Sequence, residues 1–113
     1  MKVLIIPEVR QYFYDLQLIM FEKDYFSYYE DAEEYVEELV ADIKKNLPQK
    51  QSKPAPKHFD MYGKDMEYAA FKKNKNTTWY VFFDVYKDGT EIIYLVRHVE
   101  NNHTAAHLLY KGF

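Results

Sequence analysis

The chain has 113 residues, no cysteine, 19% aromatic residues and a formal net charge of −3 at pH 7. This length predicts a single domain over residues 1–113, large enough to fold without a metal or a disulfide. The lack of cysteine excludes thiol catalysis and thiolate metal sites. The apolar run before Pro7 is too short for the core of a signal peptide or a membrane span, so we expect a cytoplasmic protein with no membrane partner.

The charges are unevenly distributed along the chain. Between Lys44 and Lys75 nine lysines stand against three acidic residues, a balance of +6 that leaves −9 elsewhere. A basic segment of this kind indicates either phosphate contacts or a solubilising surface.

The N-terminal part of the chain predicts one strand and two helices. Lys2 to Ile6 reads as a short strand, and apolar residues at helical spacing predict a first helix from Glu8 to Glu22. Ser27 followed by Glu30 matches a capping box and predicts the start of a second helix. The core-facing residues of this helix, which ends before Pro48, are Ala32, Val36, Leu39, Val40, Ile43 and Leu47.

The rest of the chain predicts a loop followed by extended structure. Gln49 to Lys57 is polar and contains prolines, as an exposed loop does. Phe59 and Tyr62 should hold the residues after it against the body. Met66 to Lys73 alternates as a strand does, and Thr77 to His98 predicts a β-hairpin with a type I′ turn at Asp88-Gly89.

The hairpin also predicts which side chains share a face. Strand periodicity places Trp79, Val81, Phe83 and Val85 toward the helices, and Tyr80 and Phe82 on the open face. In the second arm His98 falls on the same side as Val96.

The order of elements is β-α-α-β-β-β, followed by a short C-terminal helix capped by Asn102 or Thr104. We expect an α+β fold with an antiparallel sheet packed against two N-terminal helices, and with the first strand at an edge or beside the last strand.

This pattern resembles the RelE/ParE superfamily, the toxins of bacterial type II toxin–antitoxin pairs. The residues that carry the resemblance are a strand opening into a Pro-Glu helix start, an acidic second helix ending in Leu-Pro, a lysine-rich strand, a WYVFF arm and an arm ending in Arg-His. The resemblance covers nearly the whole chain. It implies a RelE/ParE-like domain without a cofactor, and an antitoxin partner that packs over the helices and sheet.

The chain departs from the family's mRNA endonucleases at two places. Their third-strand arginine corresponds to Tyr80, and their basic cluster after the fourth strand corresponds to Val99 to Asn102. The resemblance therefore implies a toxin that binds the ribosome, RNA or another target, with a degenerate mRNA endonuclease left open. The alternative is a non-enzymatic interaction module of a phage or mobile element that keeps the fold and lacks the nuclease site.

The candidate catalytic residues are Tyr80, Arg97 and His98, and the candidate nucleic-acid-binding residues are Lys72, Lys73 and Lys75. Metal-free RNA cleavage needs a base for the 2′-hydroxyl and cations for the phosphorane, roles that histidine, arginine and lysine fill. Alternatively, the lysines solvate an exposed sheet edge, and His98 makes a backbone hydrogen bond that fixes the strand exit.

Two further groups of residues bear on ligands and partners. His103 and His107 would share a helix face, but no HExxH motif or convincing further ligand accompanies them, so we expect no metal. Tyr28, Tyr29 and Tyr35 form either a partner surface or the edge of the core. A basic sheet with an apolar helix rim suits an acidic amphipathic partner, and monomer and dimer stay open.

Overall fold

A computed structural model describes residues 1–102, which form two helices and one five-stranded sheet. The fold is α+β, as the order of elements predicts. The helices are α1 (Pro7–Glu22) and α2 (Tyr29–Asn46), and the strands are β1 (Lys2–Ile5), β2 (Lys53–Pro54), β3 (Glu67–Asn74), β4 (Thr77–Asp88) and β5 (Glu91–Asn101). The short β2 lies in the segment predicted to be an exposed loop.

The strand order in the sheet is β1-β5-β4-β3-β2. The β3-β4-β5 meander is antiparallel, as predicted, and β1 lies beside the last strand. However, β1 pairs with β5 in parallel, from Lys2 opposite Ile93 to Ile5 opposite Val96, so the sheet is mixed and the prediction of a wholly antiparallel sheet is wrong. Most of the chain separates these two strands, so no tight turn forces them into an antiparallel pair.

Both helices pack on one face of the sheet and enclose the larger part of the core. The predicted inner face of α2 is confirmed at Val36, Leu39 and Ile43, which are buried in the same cluster as the apolar side chains of β4. Trp79 is buried at the centre of this layer, where its indole nitrogen donates a hydrogen bond of 3.0 Å to the hydroxyl of Tyr35. This bond satisfies the one polar atom of the indole ring.

The opposite face of the sheet is covered by residues 55–66, here called the strap. The amide of Ala55 donates to the carbonyl of Met66 over 2.8 Å and closes the strap at its base. Phe59 is fully buried and stacks on Phe82 with ring centroids 4.4 Å apart. The expectation that Phe59 pins this segment is confirmed. The expectation that Tyr80 and Phe82 lie on an open face is wrong, because the strap buries both.

The hairpin turn lies one residue later than predicted. Asp88 pairs with Glu91, so the two central turn residues are Gly89 and Thr90. Of these two turn residues, only Gly89 has a positive φ, of 64°. A positive φ at the first central residue alone is the pattern of a type II′ turn, which also favours glycine there.

The predicted capping box at Ser27 does not form. Tyr28 is the N-cap of α2, with extended φ and ψ, and no side chain caps the helix. Ser27 therefore lies one residue before the cap, too far out to bond the third helical amide. Glu30 and Asp31 in the first turn instead complement the helix dipole, and Lys44 and Lys45 do so in the last turn.

The predicted C-terminal helix, with Thr104, His103 and His107, lies outside the described residues. Within residues 1–102, neither helix is long and apolar enough to cross a membrane.

Candidate functional site

A bulge in β5 places Arg97 and His98 together on the strap side of the sheet. Phe82 pairs with His98 and Phe83 pairs with Val96, so Arg97 is the extra residue between two successive pairs. Strand periodicity alone puts His98 on the side of Val96, and this prediction is wrong because a bulge inserts one residue and shifts the alternation. His98 instead joins the strap-side residues Phe59 and Phe82.

His98 is held between a tyrosine and a carboxylate. Its imidazole stacks on the ring of Tyr62, with centroids 3.7 Å and planes 7° apart. Its Nε2 lies 2.8 Å from Oε1 of Glu100, and the two side chains are only 17% and 12% exposed. A carboxylate at this distance fixes the orientation of an imidazole, as in sites of general acid–base catalysis. The side chain contacts Glu100 in place of the backbone hydrogen bond considered from the sequence.

Arg97 of β5 is held by two side chains of the neighbouring strand β4. Its Nε donates to Oδ2 of Asp84 over 2.5 Å, and its Nη2 donates to the hydroxyl of Tyr86 over 3.1 Å. The hydrogen bond with Tyr86, followed by the one with Asp84, raises the pKa of Arg97. The guanidinium is thus charged at any physiological pH, and Asp84 balances that charge.

Gly63 in the strap packs closely against the side chains of Arg97 and Met66. A Cβ at Gly63 would come within 2.8 Å of Cδ of Arg97 and 2.9 Å of Sδ of Met66. Glycine therefore lets the strap backbone pass directly over the Arg97 stem.

Tyr80 shares the face of Arg97 and His98 but lies deep below the surface. It is 7% exposed and belongs to a cluster with Phe59, Met66 and Phe82. It pairs with Glu100 across the β4-β5 ladder. The structure thus brings the three predicted catalytic residues to one face and buries Tyr80 beneath it.

The structure does not bring the three lysines to Arg97. The ammonium of Lys73 lies over the Tyr35 ring, 5.4 Å from its centroid, on the helix side of the sheet. Lys72 is opposite Thr78, about 17 Å of strand from the Arg97 bulge beside Phe83. Lys72 and Lys75 are exposed at the β3-β4 end, so the three lysines do not form a single cationic patch with Arg97.

Glu100 is the partner of His98, and the sequence analysis does not assign it to the site. Its position two residues after His98 on a strand was a usable signal, because such residues point to the same face. Burial, and then the charge of Glu100, raise the pKa of Tyr12 on α1. Within residues 1–102 the second carboxylate oxygen of Glu100 is buried without a hydrogen-bond partner.

Residues 1–102 contain no cluster of three or more acidic or histidine side chains suited to a metal.

A second candidate surface lies on the outside of the helices. Tyr14 and Leu18 of α1 are 67% and 50% exposed, and Phe21 continues the same stripe. Beside it, α1 and α2 enclose a groove of about 560 Å³ with Phe13, Val36 and Val40 on its floor and Arg10, Glu37 and Lys44 among its lining residues. An apolar stripe next to a groove is typical of a surface that binds another protein.

The described part of the chain therefore has two candidate functional sites. One is the His98–Glu100 pair under the strap, and the other is the apolar groove on the helices. Comparisons with protein-family models, with curated proteins and with solved structures found no match to this chain.

Proposed function

We propose that the chain is a RelE/ParE-like toxin component that acts by binding a macromolecular target and is neutralised by an antitoxin. The observation that carries this proposal is the uncovered apolar stripe of Tyr14, Leu18 and Phe21 beside the α1-α2 groove. A helix face with large exposed side chains costs solubility unless a partner covers it. It therefore favours a protein that spends part of its life in a complex.

The contacts of Arg97, Lys50 and Lys73 favour binding of a target over RNA cleavage. Arg97 is matched by Asp84, and Lys73 and Lys50 lie over the rings of Tyr35 and Phe71. Cleavage of a phosphodiester needs uncommitted cations near the scissile phosphate. Arg97, the cation next to His98, is therefore engaged by Asp84 and Tyr86 rather than free to hold a phosphorane.

A degenerate mRNA endonuclease is the second candidate, and the His98–Glu100 pair favours it. An imidazole oriented by a carboxylate is suited to take a proton from a 2′-hydroxyl. Tyr62 covers one face of that imidazole, so RNA would have to approach from the other side or displace the strap. The non-enzymatic interaction module of a phage or mobile element stays as the alternative in which neither activity is retained.

Induction of the chain alone in a bacterial host tests the proposal, with growth and mRNA integrity read together. We expect growth arrest with intact ribosome-bound mRNA. Arrest with cleaved mRNA that His98→Ala abolishes would favour the endonuclease. Normal growth at a verified soluble level would contradict the toxin and leave the interaction module.

A further inference from the structure

A further cavity, here called the α1-sheet pocket, shares no lining residue with the α1-α2 groove. It has a volume of about 440 Å³ and lies where the second half of α1 meets the β3-β4 end of the sheet. Its apolar wall comes from Leu16, Ile19 and Met20, and its aromatic wall comes from Tyr12, Tyr35 and Trp79. Small-molecule pockets have volumes of about 300–1,000 Å³ and mostly apolar walls with a few polar groups, and this cavity fits that description.

The side chains of the aromatic wall hold one another in place. Tyr12 packs edge-on to Trp79, with ring centroids 6.4 Å apart and planes at 69°. The indole nitrogen of Trp79 donates to the hydroxyl of Tyr35, and a hydroxyl that accepts one hydrogen bond can still donate one. Burial, followed by the charge of Glu100, raises the pKa of Tyr12, so its phenol keeps its proton. The wall therefore combines apolar ring faces with phenol groups that can donate hydrogen bonds.

The end of α1 brings two more side chains to the pocket. Asp24, which follows the helix, has a positive φ of 60°. Its amide donates to the carbonyl of Phe21, and the amide of Tyr25 donates to the carbonyl of Met20. These two bonds form a Schellman motif, which turns the chain back at a helix end. The turn places Lys23 and Tyr25 among the residues that line the pocket.

The charged groups at the pocket are cations. Lys23 is the one charged side chain among the lining residues within residues 1–102. A β-bulge makes Lys73 an extra residue of β3, and its ammonium lies 5.4 Å from the ring centroid of Tyr35, a lining residue. Glu22 and Asp24 flank Lys23 in the chain but do not line the pocket. This arrangement attracts an anionic ligand and disfavours a cationic one.

We infer that the α1-sheet pocket binds a small aromatic carboxylic acid. The ring of the ligand packs against Tyr12, Tyr35 and Trp79, where aromatic pairs add to the burial of apolar area. Its carboxylate lies toward Lys23 and Lys73. A singly charged acid is favoured over a phosphate, because the carbonyl end of α1 carries partial negative charge that the lysines also have to offset. This inference goes beyond the proposed function and does not depend on it.

Titration of the full chain with three matched probes, phenylacetate, phenethylamine and cyclohexylacetate, tests this inference. Trp79 is the only tryptophan in the chain and lines the pocket, so its fluorescence and its indole N–H signal in NMR report binding directly. We expect phenylacetate to bind with a Kd of roughly 1 mM or below, since a ligand gains a limited free energy per atom. Phenethylamine should bind roughly tenfold more weakly because of its charge, and cyclohexylacetate roughly twofold more weakly because it lacks the aromatic contacts.

Matched variants locate the binding site. Ile19 lines the pocket and is 42% exposed, so Ile19→Phe should fill the pocket without disturbing the core and should weaken phenylacetate roughly tenfold or more. Leu18→Phe is the control, because Leu18 is the neighbouring residue, is 50% exposed and does not line the pocket. Lys23→Gln should weaken phenylacetate roughly threefold or more at low salt, whereas Lys45→Gln in the last turn of α2 should have no effect. Circular dichroism checks the folding of each variant.

Several results would overturn the inference. They are no saturable binding of phenylacetate, equal binding of phenylacetate and phenethylamine, or equal binding of phenylacetate and cyclohexylacetate. NMR shifts away from the pocket, or an effect of either control variant as large as that of its partner, would overturn it as well. Growth arrest by the chain alone does not depend on these probes, so failure of this inference is distinguishable from failure of the proposed function.

Discussion

The imidazole of His98 lies face to face with the phenol ring of Tyr62, with ring centroids 3.7 Å and planes 7° apart. This contact joins the strap to β5 at the point where the bulge turns His98 toward the strap. The strap therefore both covers the sheet and fixes the ring of the candidate base. The contributions of the strap residues Tyr62 and Phe59 to stability can be measured separately.

Tyr62→Ala should remove the stack and lower the free energy of unfolding by at least the roughly 0.5–1.5 kcal/mol that an aromatic pair contributes beyond the area it buries. Met61→Ala is the control, because Met61 is the neighbouring strap residue and is 71% exposed. Urea unfolding followed by fluorescence measures both variants. Equal stability of the two variants would show that the stack contributes nothing.

Phe59→Ala should cost about 3–5 kcal/mol, because it removes a fully buried ring and leaves a cavity. Loss of the ring also removes the stack on Phe82. Hydrogen exchange should show faster exchange of the Ala55 amide, which closes the strap. The milder Phe59→Leu should keep most of the stability, and a Phe59→Ala variant as stable as the wild type would contradict the view that the strap is part of the core.

The raised pKa of Tyr12 predicts how the stability of the protein changes at alkaline pH. Its pKa is raised in the folded state by burial and by the charge of Glu100, so the folded protein holds the phenol proton more tightly than the unfolded chain does. The resulting stability is fully present below about pH 10, the usual pKa of tyrosine, and is lost as pH rises toward the folded pKa. Tyr12→Phe should show a smaller loss of stability above pH 10 than the wild type.

Tyr14→Phe is the control for this prediction, because Tyr14 is on the same helix and is largely exposed. Chemical denaturation at a series of pH values gives the comparison. The same pH dependence in Tyr12→Phe and in the wild type would contradict the assignment.

The position of the hairpin turn is testable at Gly89. Its φ of 64° is unfavourable for residues with a Cβ, although no atom lies within 4 Å of where that Cβ would be. Gly89→Ala should therefore lower stability by about 1–2 kcal/mol, and Gly89→Asn by less, since asparagine tolerates this conformation. Thermal unfolding that ranks alanine equal to asparagine would argue against a positive φ at this residue.

The elements with a strong period could be predicted from the sequence. The inner face of α2 follows from apolar residues at helical spacing, and the hairpin follows from two β-rich runs around a glycine. The position of His98 could not be predicted, because the bulge at Arg97 depends on how β5 pairs with β4 and leaves no trace in local composition. Counting residues by twos across a bulge assigns every later side chain to the wrong face.

The burial of Tyr80 could not be predicted for a different reason. The strap has no helical or strand period. Phe59 and Tyr62 indicate that it packs against the body, but nothing in its sequence shows which residues of the sheet it covers. The single-residue shift of the turn has a similar origin, since Asp88-Gly89 and Gly89-Thr90 both accommodate glycine at a positive φ. Side-chain partnerships such as Arg97 with Asp84 depend in turn on this register.

The most direct test of the central claim is growth of a bacterial host that expresses the chain together with its adjacent gene. We predict that the wild-type chain arrests growth alone and is rescued by the adjacent gene with formation of a stable complex. We predict further that Tyr14→Asp still arrests growth and escapes rescue, whereas Met61→Asp on the strap is rescued like the wild type. Unimpaired growth with the soluble wild-type chain alone would contradict the claim.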